Sequence, residues 1–526
     1  MRPFGLIVSF VKPRPPTKLQ EAIGRLLKEA EEAWGRQDYQ KSLQLIEQAT
    51  RKEPSNPGLL LELARAHGLR YDLATAERYI EKAVQLSPSR AQTLADAGRI
   101  CLDFEQVDMA IRYLERAGQK NSVPIGSLMT LADIYIRDGR LDDAANLVTR
   151  AAQVDRKDSR VLLEDAALRR LNGKGDEAES MIRTLLADSA VSVPVRVRGY
   201  YDLAGILDST GRYDDAMSAL LEVKAIQRAH AAPYTATLLH MQKRAQEMEQ
   251  TLTAQVLARW RVDGEKLQPP RRIALLAGHP RSGTTLLEQV LDAHPDIISA
   301  EETKLMHDEA YLPLIRDFPE GTSILQALDS SPPSLLCHAR ENYFRCNEML
   351  MQKSIGNRLL VDKNPGLNLM IPIIVRVFPE TKLLIALRDP RDVIISCFQQ
   401  ALPLTPISSA YLSIESTVQQ YASAMGFWLD MRPRMGEQWL QVRYEEMIED
   451  LQAVARTTLN FLGVAFDENV LKFYEHARTK RVKSPSHADV QKPVYRTAMG
   501  RWRNYQKYLD PYMTRLNRFL DAFNYH

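Results

Sequence analysis

Arg272-Ile273-Ala274-Leu275-Leu276-Ala277-Gly278-His279-Pro280-Arg281-Ser282-Gly283-Thr284-Thr285-Leu286-Leu287-Glu288-Gln289-Val290-Leu291 divides into three parts. An apolar run with the length of a buried strand comes first. A turn bounded by Gly278 and Gly283 follows, and the rest has the apolar spacing of a helix. Strand, glycine-bounded turn and helix N-terminus together aim unpaired backbone N–H groups and a positive helix end at one spot, which suits an anion. The bland alternative is a strand–turn–helix corner with no ligand.

The spacing is close to that of a nucleoside-triphosphate loop, but Thr284 stands where the phosphate-reaching lysine belongs. A kinase or ATPase is therefore the weaker reading, and the cation has moved inside the loop, to Arg281. Pro280-Arg281-Ser282-Gly283-Thr284-Thr285 resembles the 5′-phosphosulfate loop of sulfotransferases. Its continuation, Leu291-Asp292-Ala293-His294-Pro295-Asp296 and Glu301-Glu302-Thr303, resembles the tyrosylprotein branch of that family. The resemblance covers about residues 271–526. It implies a P-loop-like α/β domain with a parallel sheet, and 3′-phosphoadenosine 5′-phosphosulfate (PAPS) as donor. Arg281, Ser282, Gly283, Thr284 and Thr285 would hold the phosphosulfate.

A second strand, Lys382-Leu383-Leu384-Ile385-Ala386-Leu387, runs into Arg388-Asp389-Pro390-Arg391-Asp392. Ligands of open α/β sheets lie beyond the carboxyl ends of strands, and a guanidinium suits a dianionic phosphate. In the resembled family an arginine here and a serine eight residues on grip the 3′-phosphate; Arg388 and Ser396 match. Lys363, in Val361-Asp362-Lys363-Asn364-Pro365, falls where the tyrosylprotein enzymes carry a lysine that assists the leaving phosphate, although its two neighbours stand in reverse order. Ser486 would bond near the sulfuryl group and Lys492 would contact the nucleotide. Tyr495 to Tyr505, with Gly500-Arg501-Trp502, matches a nucleotide-binding stretch more loosely. Glu302 takes the place of the family's catalytic base, with His294 as a structural cap rather than a rival base. Lys304 replaces an arginine and loses its bidentate geometry. Arg281, Lys363 and the loop amides supply the positive charge that the leaving oxygen needs, so no metal is expected.

Upstream, Ser42, Ala76, Ala110, Ala144 and Ala178 recur every 34 residues, and Ala49, Ala83, Ala117, Ala151 and Leu185 follow each by seven. Residues seven apart share one helix face, and small ones there let a neighbouring helix come close. Gly139, Gly173 and Gly211 stand five before the small residue, and Pro54 and Pro88 close the first two units. A sixth unit, centred on Ala216, comes after four extra residues. Gly139-Arg140-Leu141-Asp142-Asp143-Ala144 and Gly211-Arg212-Tyr213-Asp214-Asp215-Ala216 resemble the tetratricopeptide family, over roughly residues 22–225. That resemblance implies an α-solenoid whose concave face binds a protein or peptide, or supports self-association into a homo-oligomer.

The expected division is a flexible segment at 1–17, repeats at 18–225, closing helices and linker at 226–270, and a sulfotransferase domain at 271–526. A net charge of +3 over 526 residues gives no case for nucleic-acid binding. The apolar stretch Phe4–Val11 is shorter than a spanning helix. Cys101, Cys337, Cys346 and Cys397 show no CxxC spacing, which fits a reducing compartment and a cytoplasmic protein. The expected activity is transfer of a sulfuryl group to an acceptor hydroxyl, for example of protein tyrosine, with the repeats recruiting substrate or partner. The rival from a different class is a repeat scaffold carrying an inactive sulfotransferase fold; the joint presence of Arg281, Glu302, Lys363, Arg388, Ser396 and Ser486 speaks against it.

Overall fold

The computed structural model describes residues 17–87, 89–120, 123–319, 321–480, 487–494, 496 and 498–525. Residues 1–16, Pro88, Ser486 and Tyr495 lie outside that set, and with them the readings placed there. The chain forms two compact units, Met1–Ala187 and Asp188–His526.

The first unit is built of helical pairs: α1 (Lys18–Gly35) with α2 (Tyr39–Lys52), α3 (Pro57–Leu69) with α4 (Leu73–Leu86), α5 (Arg90–Asp103) with α6 (Val107–Gly118), α7 (Ile125–Arg137) with α8 (Leu141–Val154), and α9 (Ser159–Leu171) with α10 (Gly175–Ala187). The side chains of Asp38, Asn56, Asp72 and Asp158 accept from N–H groups at the start of α2, α3, α4 and α9, satisfying donors that the helix leaves unpaired. Ser42, Ala76, Ala110, Ala144 and Ala178 are all fully buried, as are Ala49, Ala83, Ala117 and Ala151. These are the positions the 34-residue spacing selects.

The turn inside each pair needs a left-handed residue. Gly139 and Gly173 supply it at φ 74° and 78°. The equivalent places in the first three pairs are held by Gln37, Tyr71 and Glu105, at φ 64°, 68° and 62°. The backbone shape is thus kept where the glycine is absent, at a cost of about 1–2 kcal/mol for each side chain in this region.

The second unit begins with one more pair, α11 (Val193–Ser209) and α12 (Tyr213–Arg228), followed by α13 (Ala232–Thr251) and α14 (Ala254–Gly264). The expected division put this pair with the repeats; it has their helix–turn–helix form and lies in the compact unit that also holds the sheet. Five parallel strands then form one sheet in the order β2-β3-β1-β4-β5: β1 (Ile273–Gly278), β2 (Ile297–Glu301), β3 (Leu359–Lys363), β4 (Lys382–Leu387) and β5 (Trp439–Arg443). β1 and β3 are buried at every residue, as expected for strands covered on both faces. The helix α15 (Thr284–Asp292) packs Leu287, Val290 and Leu291 into the core under the sheet, with Leu276, Leu384, Met447 and Leu459. Register pairs Leu276 and Glu301 with Lys363, and Gly278 with Ala386, so the carboxyl ends of four strands open at one edge.

Candidate active site

The loop between β1 and α15 carries the first cation. Gly278 lies where β1 approaches β4: an added Cβ would meet the Ala386 carbonyl oxygen at 2.5 Å, so no other residue fits. Arg281 adopts a left-handed φ of 71°. Its Nε donates to Ser396 Oγ at 3.0 Å, across 115 residues of sequence. Two residues expected at opposite ends of a donor are therefore neighbours. Ser282, Thr284 and Thr285 are buried at the head of α15, where the first-turn N–H groups have no partner within the helix.

Arg388 leaves the end of β4. Its guanidinium donates to the carbonyl oxygens of Arg281 and Ala498, stacks at 4.8 Å on the ring of Tyr444 and lies 3.7 Å from Asp392. Its buried Nε has no partner among the described residues. An orphaned guanidinium N–H beside an open helix N-terminus is the donor set a phosphate would complete.

Lys363 ends β3, fully buried, with three carboxylates around its Nζ: Glu302 at 2.7 Å, Glu301 at 3.4 Å and Glu288 at 3.4 Å. Burial works to lower the lysine's proton affinity, but the three carboxylates outweigh it and hold the ammonium charged. Burial pushes the Glu288 carboxyl up to about 7, against the pull of Lys363. The three acids differ in access: the side chains of Glu288, Glu301 and Glu302 are 0%, 11% and 44% exposed. Glu302 also has a left-handed φ of 50°, and its N–H donates to the Lys363 carbonyl at 2.8 Å. Of the three carboxylates, that of Glu302, just past the end of β2, is the most accessible.

The neighbouring Asp362 points to the other side of the sheet, where Tyr343 donates to it at 2.6 Å. Strand alternation thus puts Lys363 on the face of the acids and Asp362 away from it. Asn364 caps its own turn, accepting from the Gly366 N–H and donating to the Thr303 carbonyl. His294 accepts from the Asp296 N–H at Nδ1 and bonds the Ala465 carbonyl through Nε2 at 2.9 Å, so both ring nitrogens are used in closing the end of α15. Lys492 is exposed on the turn after His487–Val490, and the structure joins it to none of these residues by a hydrogen bond. Asp489 of the same segment lies near enough to act on the charge of Arg281.

Sequence reasoning missed two residues. Glu288 is a charged residue in an otherwise apolar face of α15, and that mismatch was its signal. Asp392 accepts from the backbone N–H groups of Gly500 and Trp502 at 2.7 and 2.8 Å, tying the C-terminal stretch to the Arg388 loop. Nothing in its local sequence announces a partner 108 residues away.

Residues 274–468 match the model of the sulfotransferase family, and residues 27–91 and 165–232 match a tetratricopeptide repeat model. An uncharacterized protein of Aquifex aeolicus is 25% identical over 349 residues, which cover 64% of this chain and 43% of that protein. The chain thus spans less than half of that relative's length. A putative protein-tyrosine sulfotransferase of Caenorhabditis briggsae is 26% identical over 205 residues, covering 39% of this chain and 70% of the relative. Among solved structures, the sulfotransferase domain of the Synechococcus PCC 7002 olefin synthase matches with a TM-score of 0.32 at 23% identity, covering 44% of this chain and 88% of that one. The chain joins tetratricopeptide-like repeats to a sulfotransferase-like region with a five-stranded parallel sheet.

Proposed function

We propose that the second unit transfers a sulfuryl group from PAPS to an acceptor hydroxyl, with protein tyrosine as the acceptor to test first. The observation that carries this reading is one sheet edge with two separate cationic centres. Arg281 and Arg388 flank the helix N-terminus, and Lys363 stands with an accessible carboxylate, Glu302, at 2.7 Å. The protein-tyrosine names of several relatives support the choice of acceptor.

Each residue then has a chemical task. Arg388 and Ser396 hold the 3′-phosphate, and Arg281 with the amides of Ser282 to Thr285 holds the 5′-phosphosulfate. Glu302 takes the proton from the acceptor hydroxyl as its oxygen bonds to sulfur. Lys363 meets the charge that develops on the phosphate oxygen when the sulfur–oxygen bond breaks. Ser486 is placed beside the sulfuryl group and Lys492 beside the nucleotide by family resemblance. The repeats recruit a protein substrate or partner, and we place the reaction in the cytoplasm on the pattern of four scattered cysteines.

Thermal unfolding of the full chain with adenosine 3′,5′-bisphosphate, AMP and ATP tests the donor, since a ligand of the native state raises stability. The bisphosphate is expected to stabilise far more than the other two. Arg388→Ala should weaken it by about 1.5–3 kcal/mol, the worth of a charged hydrogen bond. Equal shifts with AMP in the unaltered protein would overturn the reading. Mass spectrometry of a peptide library after incubation with PAPS then identifies the acceptor.

A further inference from the structure

The pair α11–α12 has the form of a repeat, yet its inner turn grips residues 501–508. Asp208, near the end of α11, accepts from Arg501 Nη2 at 2.5 Å and from the Tyr505 hydroxyl at 2.6 Å. Asp214, in the first turn of α12, pairs with Lys507 at 2.8 Å and accepts from the Tyr508 hydroxyl at 3.1 Å. The Tyr213 ring meets the Tyr505 ring edge-on at 5.6 Å.

The opposite side of the same stretch faces the Arg388 loop. Asp392 takes the N–H groups of Gly500 and Trp502, Arg391 stacks on Trp502 at 4.1 Å, and the Ala498 carbonyl accepts from Arg388. Residues 498–505 are therefore clamped between α11–α12 and the loop that carries Arg388. A second contact ties the pair to the same neighbourhood. Lys224 of α12 is buried against Phe398, two residues past Ser396, with its Nζ 5.1 Å from the ring centre.

We propose that α11–α12 is part of the donor site, with Asp208 as a positioning residue for the 3′-phosphate; this rests on the assignment of PAPS as donor. The physical chain is short. Without Asp208, Arg501 and Tyr505 lose their shared acceptor and the stretch loosens. Its Gly500 and Trp502 amides then hold Asp392 less firmly. The Asp392 carboxylate already lies 3.7 Å from Arg388, and once released it closes on that guanidinium and competes with the phosphate for it. The repeat-shaped pair thereby sets how much positive charge the 3′-phosphate meets.

The test is calorimetric titration of the full chain with adenosine 3′,5′-bisphosphate and with AMP, comparing the unaltered protein with Asp208→Ala and Tyr505→Phe. Asp208→Ala should lose roughly tenfold in bisphosphate affinity, the scale of one charged hydrogen bond, with AMP affinity unchanged. Tyr505→Phe, which removes one of the two bonds, should lose less and in the same direction. A merely structural role lowers the melting temperature and leaves the ratio of the two affinities alone, and that result overturns the proposal. If Asp208→Ala fails to fold, the ratio in Tyr505→Phe decides: a fall supports the proposal and an unchanged ratio overturns it. If the unaltered protein shows no preference for the bisphosphate, the donor assignment itself is wrong, which is a separate outcome.

Discussion

The first unit repeats one solution five times, whereas the sheet edge of the second uses each position once. In the repeats a buried small residue returns every 34 residues, so five copies of the same contact report on each other. At the sheet edge Lys363 meets Glu302 across 61 residues and Arg281 meets Ser396 across 115, with no second copy of either. Redundancy makes the repeats tolerant of an individual lapse, as Gln37, Tyr71 and Glu105 show by holding a glycine's backbone shape. A site without copies has no such tolerance, and mutations should separate the two regions by size of effect.

The largest effect belongs to Glu302. Glu302→Gln keeps shape and reach but cannot take a proton, and should lower turnover by about 10²–10⁴-fold with nucleotide affinity nearly unchanged. Glu301→Gln, next to it and less exposed, is the control. Turnover with PAPS and the acceptor found by mass spectrometry checks both; a dead Glu301 variant beside a normal Glu302 variant would exchange their roles.

Lys224 gives an intermediate effect, on stability. Burial lowers its pKa from 10.5 to about 7, so between those values the folded chain binds fewer protons than the unfolded one. Stability should therefore rise with pH from about 7 towards 10.5 and fall as pH drops back. Lys224→Met should flatten that slope and raise stability at pH 7 by about 1–4 kcal/mol, as when buried charges give way to apolar groups. Denaturant unfolding at several pH values measures it, and an unchanged slope would show that the amine is not the titrating group.

The smallest effect tests the tolerance of the repeats. Gly139→Ala puts a Cβ into a left-handed turn with open space around it, so the cost is conformational, about 1–2 kcal/mol. Chemical denaturation checks this, and a loss well above that range would mean the turn is held by something other than backbone shape.

The same contrast explains what could be read from the residues alone. The 34-residue period and the strand–loop–helix order needed nothing beyond local spacing, and neither did the placing of Arg281 in the loop and Arg388 at a strand end. Glu288 carried a local signal, a charge on an apolar helix face, but its partner Lys363 lies far along the chain; Asp392 escaped because Gly500 and Trp502, which it holds, are as remote, a relation that periodicity does not encode. For α11–α12 the repeat form was legible in the spacing, whereas the bonds of Asp208 and Asp214 to residues near 505 were not, because no period encodes them.

The register of β3 works like a parity bit. Lys363 faces the three acids because it lies opposite Leu276 of β1 and Glu301 of β2, and Asp362 faces away. A slip of one residue would carry the whole strand to the other parity. Asp362 would then stand among Glu288, Glu301 and Glu302, four carboxylates with no ammonium between them. The sign of the pocket's charge is thus stored in a row of backbone hydrogen bonds, and a misthreaded strand would yield a pocket that repels any anion.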